Sequence, residues 1–510
     1  MPHAEAPLRS VKQPAKHRPR GKTGLVLALC LVSAGCSLVP DYQRPQADAA
    51  AAWSTAVGDG TGAVPVSGAW WRSFGSPELD ELMQRSLSGN FTLRAAVARI
   101  DEAQGTAEVN AAALFPSITV AGTQDQKNGV KNTGTHQLLA QASYELDFWG
   151  KNRAAAASGT ALAHASAFDA DTVAMTLSAS LVDTYFQILS LNERVRLARQ
   201  IADDARHVLA LVQVQQQAGT ATELQVEQQR AAVATFDGAV PPLLQQADQA
   251  LHLLAVLTGQ APEGFAIAAS DLHGLARPGV LPDLPTALLE RRPDIRAAEA
   301  RLISANFDIG VARAAFFPSV SLNAGVGIGA KQASHFFPPS AVTDLGFSLL
   351  QPLFQGGQLE GQLRFDRARQ VEMVATYRQT VIAAFQDVED MLSTLAHVRD
   401  QEEIEIVAQT AASRAASLAE LQYRLGSADY LTVLTTEQAL YQAQDALLQV
   451  RLQRLQAIVG LFRALGGGFD ADAGPAVVQV SAPQGARPQS APQSAAPSAP
   501  MPMPATPSGG

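Results

Sequence analysis

The side chains able to do chemistry are few and poorly grouped. Nine histidines are spread over 510 residues. His3 and His17 lie near the start, and His136, His164, His207, His252 and His397 have no metal-ligating partner at helical spacing. No His-Glu-x-x-His, Walker A or nucleophile-elbow pattern occurs. Asp387, Glu389 and Asp390, and Glu402, Glu403 and Glu405, read as solvated helix faces, with a weakly cation-attracting channel lining as the functional alternative. Gly325-Val-Gly-Ile-Gly329 lacks dinucleotide-loop spacing and reads as a small-residue strip within a strand. The expectation is no enzyme: no catalytic residue, no metal centre and no cofactor.

One side chain does have a chemistry suggested by its neighbours. Arg9, Lys12, Lys16, Arg18, Arg20 and Lys22 precede an apolar run, Leu25-Val-Leu-Ala-Leu-Cys-Leu-Val. Small residues Ser33, Ala34 and Gly35 follow, then Cys36. That is the layout of a cleavable export signal over 1–35. Ser33-Ala34-Gly35-Cys36 resembles a bacterial lipobox, with Ser33 where leucine is commoner. It implies a covalent lipid on Cys36: diacylglycerol on the thiol and an acyl chain on the new amino terminus. Ser37 resembles outer-membrane sorting. The plain alternative is ordinary cleavage that leaves Cys36 a free thiol. Loss of 1–35 removes six Lys/Arg and one Glu, taking the net charge from −9 to −14. It also removes Cys30, so Cys36 is the sole cysteine left and intrachain disulfides are impossible. Stability must come from a large core or from oligomerisation.

Composition limits the elements that carry these residues. With 47% hydrophobic residues the chain is not disordered throughout, yet it has no apolar run of about 20 residues, which excludes a polytopic helical membrane protein. The acidic balance and 6% aromatic content argue against nucleic-acid binding. An internal duplication is visible. Leu93-Arg-Ala-Ala-Val-Ala-Arg99 matches Ile295-Arg-Ala-Ala-Glu-Ala-Arg301, Ala113-Leu-Phe-Pro-Ser-Ile118 matches Ala315-Phe-Phe-Pro-Ser-Val320, and Ala218-Gly-Thr-Ala-Thr-Glu-Leu224 matches Leu425-Gly-Ser-Ala-Asp-Tyr-Leu431.

Each half opens with a helical pattern (about 78–113 and 285–315), which proline stops at Phe-Pro-Ser. Strand-like alternation follows. Val320, Leu322, Ala324, Val326 and Ile328 oppose Ser321, Asn323, Gly325 and Gly327; Leu138, Ala140, Ala142, Tyr144 and Leu146 oppose Gln137, Gln141, Ser143 and Glu145; Leu345, Phe347 and Leu349 oppose Asp344, Gly346 and Ser348. Ser117 to Thr123 repeats the theme, giving four strands of about ten residues in two hairpins, about 117–148 and 319–354, with loops near 126–135 and 331–342. Apolar-out, polar-in strands of that length suit a transmembrane β-barrel; a half-buried sheet in a soluble protein shows the same alternation. Four strands cannot close a membrane barrel, and open edges are not tolerated in lipid. A membrane reading therefore requires several chains, and three would supply twelve strands.

Long helical patterns follow each hairpin, about 151–217 and 222–258, then 358–425 and 428–464, with Pro241-Pro242 interrupting the second. At 1.5 Å per residue the longer ones span about 100 Å, which suggests coiled-coil packing. Residues 262–284 link the halves. Residues 471–510 hold nine of the 29 prolines and almost no charge, so 470–510 reads as a disordered tail. The domain plan is thus 1–35 signal, 36–77 lipidated extended segment, 78–261 first repeat, 262–284 linker, 285–469 second repeat and 470–510 tail.

Together with this duplication, Tyr144-Glu-Leu-Asp-Phe-Trp-Gly150, Gln351-Pro-Leu-Phe-Gln-Gly-Gly357, Glu290-Arg-Arg-Pro-Asp-Ile295 and Ala464-Leu-Gly-Gly-Gly-Phe469 resemble the outer-membrane factor (TolC-like) family, in its lipoprotein branch serving resistance–nodulation–division efflux pumps. The resemblance covers about 38–469. It implies a mostly α chain with a β-barrel part, assembled as a homotrimer. A twelve-stranded barrel in the outer membrane would continue into a long periplasmic α-helical barrel. The implied role is a passive exit duct for small toxic compounds or drugs. Its implied partners are outer-membrane lipid, a periplasmic adaptor protein and an inner-membrane pump, with no nucleic acid.

The resemblance also implies site residues. Gly219, Thr220, Gly426 and Ser427 lie at the adaptor-docking tips. The periplasmic gate falls at Asp429, Leu431, Thr432 and Thr435. Relatives often carry aspartate at the latter two positions and arginine at that of Gln438; neutral residues here imply closure by Leu431 and hydrogen bonds. Phe148, Trp149 and Phe354 are implied as membrane-interface aromatics. An exit duct for type I protein secretion and a pore-free periplasmic coiled-coil scaffold are the competing readings.

Overall fold

The computed structural model describes residues 37–46, 52–54, 63–64, 66, 68–127, 133–280, 282, 284–330 and 340–469. The export signal, Cys36, residues 128–132 and 331–339 of the two hairpin loops and the 470–510 tail lie outside the described residues.

The first half runs α1 (Pro77–Gly89), α2 (Phe91–Ala112), β1 (Ser117–Lys127), β2 (Thr133–Leu146), α3 (Lys151–Gln217) and α4 (Glu223–Leu257). The second runs α5 (Pro293–Ala314), β3 (Ser319–Ala330), β4 (Ser340–Leu350), α6 (Gln358–Arg424) and α7 (Tyr430–Ala464). Corresponding helices are equal in length: α2 and α5 have 22 residues, α3 and α6 have 67, α4 and α7 have 35. This equality makes the duplication structural as well as sequential.

Both opening helices are broken, contrary to the continuous patterns expected over 78–113 and 285–315. Asn90 is extended (φ −66°, ψ 125°), and its side chain accepts a hydrogen bond from the Leu93 amide at 3.0 Å while donating to the Leu257 carbonyl at 3.1 Å. It ends α1 and caps α2. In the second half Arg292 is extended and Pro293 takes the first helical turn, where its missing N–H is harmless. The opposite correction applies at Pro241-Pro242: α4 continues through both prolines. Interior proline costs about 3 kcal/mol, but Phe236, Leu243, Ala247 and Ala250 are buried on either side, so the packed face holds the helix together.

The strands form one antiparallel sheet in the order β1-β2-β3-β4. Its register aligns apolar residues in rows across it. Ile118 pairs Ala142, which pairs Ala324, which pairs Leu345; Tyr144 pairs Leu322, which pairs Phe347; Leu146 pairs Val320, which pairs Leu349. Leu345 and Phe347 are each 80% exposed. The opposite face has rows Thr119–Gln141–Gly325–Asp344 and Ser143–Asn323–Gly346. The glycine strip lies on that polar face, and at Gly327 it has a packing reason. A Cβ there would come within 2.1 Å of the Leu138 carbonyl oxygen. Leu139, opposite Gly327, is an apolar exception on the polar face and is buried.

α3 packs along α2, α4, α5 and α7, and α6 packs along α5 and α7. The main core sits around the middle of α3, where Trp70, Phe74, Tyr185, Phe186, Tyr377 and Phe462 are fully buried. Trp70 stacks on Phe462 at 5.1 Å. No helix among the described residues is long and apolar enough to cross a membrane.

The acidic clusters are not simply solvated faces. Glu402 is buried and binds Arg277 (2.8 Å) and Arg454 (2.7 Å), with Arg451 at 3.5 Å. Asp387 pairs with buried Arg292, and Glu389 accepts from the Ser54 amide and hydroxyl. These contacts tie the linker and the N-terminal segment to α6. That segment also runs along α5. Arg313 donates to the Leu38 carbonyl at 3.2 Å, Asn306 to the Pro40 carbonyl at 2.7 Å, and Arg44 reaches Glu299 and Glu290 at 2.6 Å. Gly310 admits this strap: a Cβ there would lie 2.4 Å from Val39.

Candidate functional site at the paired helix tips

α3 and α6 end in the same motif. At the first tip the Gly219 φ is +76°, and the Thr220 amide and hydroxyl both donate to the Gln215 carbonyl, at 2.9 and 3.0 Å. At the second the Gly426 φ is +73°, and the Ser427 amide and hydroxyl donate to the Gln422 carbonyl, at 2.9 and 3.1 Å. Glycine takes this left-handed conformation without a Cβ penalty. The returning helices are capped alike. Thr222 and Gln225 form a reciprocal capping box on α4, and Asp429 caps α7 by accepting from the Thr432 amide at 2.9 Å and hydroxyl at 2.6 Å.

The Asp429 carboxylate is therefore committed to a helix end. It lies below the usual carboxylate range because the Thr432 hydroxyl and then the Thr432 amide favour its charged form. Thr435 donates back to the Leu431 carbonyl at 3.0 Å. Leu431, Thr432 and Thr435 are all exposed on one side of the first turns of α7. Exposed apolar side chains crowd both tips: Val214, Leu224, Leu421 and Leu425 join Leu431.

The tips are also joined to each other, by residues that sequence reasoning missed. Tyr423 donates to the Gln215 side-chain carbonyl at 2.9 Å. Tyr430, fully buried, donates to the Gln229 side-chain carbonyl, and Gln229 in turn donates to the Ala205 carbonyl at 2.7 Å. The two tyrosine rings meet edge-on at 5.6 Å over Val212 and Val226. Further from the tips, Asp204 of α3, Glu420 of α6 and Glu437 of α7 line a cavity of about 450 Å³, with His207 and Phe236. Burial first, then repulsion from Glu420 and Asp204, pushes Glu437 up to about 7.

At the other end of the long helices, the three junction aromatics differ. Phe354 is 89% exposed. Trp149 stacks on Phe317 at 4.7 Å and donates to the Pro318 carbonyl at 2.8 Å, and Phe148 is half-buried beside it. Asp147 of the same motif accepts from the Asn152 and Arg153 amides, so it supplies the capping that N-terminal Gly150 lacks.

A family model described as "Outer membrane efflux protein" matches residues 82–260 and 284–467. The pyoverdine export outer membrane protein OpmQ of Pseudomonas aeruginosa is 38% identical over 461 residues, which cover 88% of this chain and 97% of that protein. The probable outer membrane lipoprotein SilC of Salmonella typhimurium is 29% identical over 464 residues, covering 87% of this chain and 98% of SilC. Among solved structures, the outer-membrane channel OprN superposes with a TM-score of 0.77 at 30% identity, covering 85% of this chain and 99% of OprN.

Proposed function

The chain belongs to the outer membrane efflux protein family and is an outer-membrane efflux component with a TolC-like fold; from that premise we propose that three copies close one barrel and form the passive exit duct of a tripartite pump. The carrying observation is the four-stranded sheet, whose edges at β1 and β4 pair with no other strand among the described residues, and an exposed apolar face in register across all four strands. In hydrocarbon both edges need partners, and three copies supply twelve antiparallel strands, an ordinary size for an outer-membrane barrel. The polar face, with Gln141, Asn323 and Asp344, then lines the lumen.

The cargo is small molecules; a relative is named for pyoverdine export. The partners are a periplasmic adaptor meeting Gly219, Thr220, Gly426 and Ser427 and their apolar neighbours, and an inner-membrane pump that supplies the energy. Leu431, Thr432 and Thr435 narrow the duct at the tips, held by the Tyr423 and Tyr430 hydrogen bonds. Cys36 carries the lipid. Leu38 bonding to Arg313, near the end of α5 that leads into β3, supports this, because it puts the chain two residues past Cys36 close to the sheet.

The test is gel migration and conductance of the purified chain. A heat-modifiable trimer with conductance in planar bilayers is expected. A monomer without conductance would overturn the duct.

A further inference from the structure

Away from both tips and sheet, the linker between the halves lies against α3. Leu272 and Leu275 pack on the main core, and the Ala276 amide donates to the Phe74 carbonyl at 3.0 Å, so the segment is fixed. This holds Asp271 and His273 over Glu193, which lies in the middle of α3. The His273 Nδ1 is 2.8 Å from the Glu193 Oε1 and 3.6 Å from the Asp271 Oδ1. One ligand atom from each of the three side chains lies within 4.8 Å of the others. Ligands about 2.0–2.1 Å from a tetrahedral cation are themselves roughly 3.3 Å apart, so these spacings need only small side-chain shifts to become a coordination shell.

The charge and burial point the same way. Glu193 is 4% exposed, and a buried carboxylate needs a close cationic partner. Beyond the hydrogen bond that Glu193 shares with the His273 Nδ1, its arginine neighbour among the described residues, Arg196, approaches only to 3.7 Å, too far for a hydrogen bond, and stands at the same distance from Asp271. Arg196 is 57% exposed, free to swing outward. His273 is 76% exposed, so the pocket has an open side for a water ligand and for entry of an ion. Asp271 is already oriented, accepting from the His273 amide at 3.0 Å and the Ser270 hydroxyl at 3.1 Å.

We propose that Glu193, Asp271 and His273 form a binding site for a divalent transition-metal ion of the zinc class, which clamps the linker between the halves onto α3. One imidazole nitrogen and two carboxylate oxygens suit Zn²⁺ over the hard, oxygen-preferring Mg²⁺ and Ca²⁺. Two carboxylates and a neutral imidazole balance a dication, leaving Arg196 as the competing cation at the site.

The test uses the purified full chain in detergent, freed of any histidine tag and stripped with chelator, titrated with Zn²⁺ against a chromophoric chelator and with Co²⁺ by visible absorption. One saturable site per chain is expected, with a tetrahedral Co²⁺ spectrum. His273→Ala and Glu193→Gln should each weaken Zn²⁺ at least tenfold, Arg196→Ala should tighten it, and His273→Asp, which restores a ligand, should recover part of the loss. His273→Ala removes an exposed ring and should keep the native assembly on gels, separating lost metal from lost fold. Equal affinity in the native chain and His273→Ala would overturn the site, as would binding by Arg196→Ala with none in the native chain.

Discussion

Asp429 shows how one residue can fit two readings. Its position after the second tip suggests a gate charge, while its bonds to Thr432 make it the N-cap of α7, equivalent to Thr222 on α4. The two roles separate by substitution. Asp429→Asn keeps a capping acceptor and removes the charge; it is expected to preserve thermal stability and low basal conductance. Asp429→Ala removes the cap, so it should lower the thermal stability of the tip and raise the basal leak. A large leak in Asp429→Asn would instead make the charge itself the closing element. The pairing of Tyr423 with Gln215 and of Tyr430 with Gln229 was not legible, because each bond joins residues about 200 positions apart and no neighbour of any of the four names its partner. The turn glycines Gly219 and Gly426, by contrast, could be read because their left-handed conformation is set by immediate neighbours.

At the scale of elements, periodicity predicted the four long helices to within two residues and the four strands with ends displaced by up to about four. It missed the breaks at Asn90 and Arg292, although both carry local signals: a capping asparagine and an Arg-Pro step. It overstated Pro241-Pro242, since burial of one helix face outweighs two missing donors. It also could not tell that the acid-bearing face around Glu402 meets three arginines from the linker and α7. Where helices pack, charge becomes pH-sensitive. Glu437, ordinarily titrating at 4.5, is pushed up to about 7 between α3, α6 and α7. Between those values the folded chain holds a proton that the unfolded chain has released, so stability falls as pH rises through the window and stays lower above it. Glu437→Gln is expected to melt higher than the native chain at pH 8, with the gap closing toward pH 4 in thermal-shift measurements. A pH-independent gap would show that the carboxylate is not in that environment.

For the whole molecule, the duplication and the incomplete sheet were visible in sequence, but the route of the N-terminal strap was not, since 38–44 carries no regular element. Its hydrogen bonds to α5 give the proposed lipid a second, independent support. Cys36→Ser is expected to abolish radiolabelled palmitate incorporation while the trimer still forms, because strap contacts and strand pairing both survive the change. Loss of trimers in that variant would make the lipid necessary for assembly and not a supplementary anchor.

The matched lengths of α3 with α6 and of α4 with α7 make span a shared property of both halves. Excising seven residues from α3 alone would lift one tip by about 10 Å relative to the other, pulling Gln215 away from Tyr423. Shortening or lengthening the tube thus calls for coordinated indels in all four helices, so the distance it bridges can change over evolution only in concerted steps.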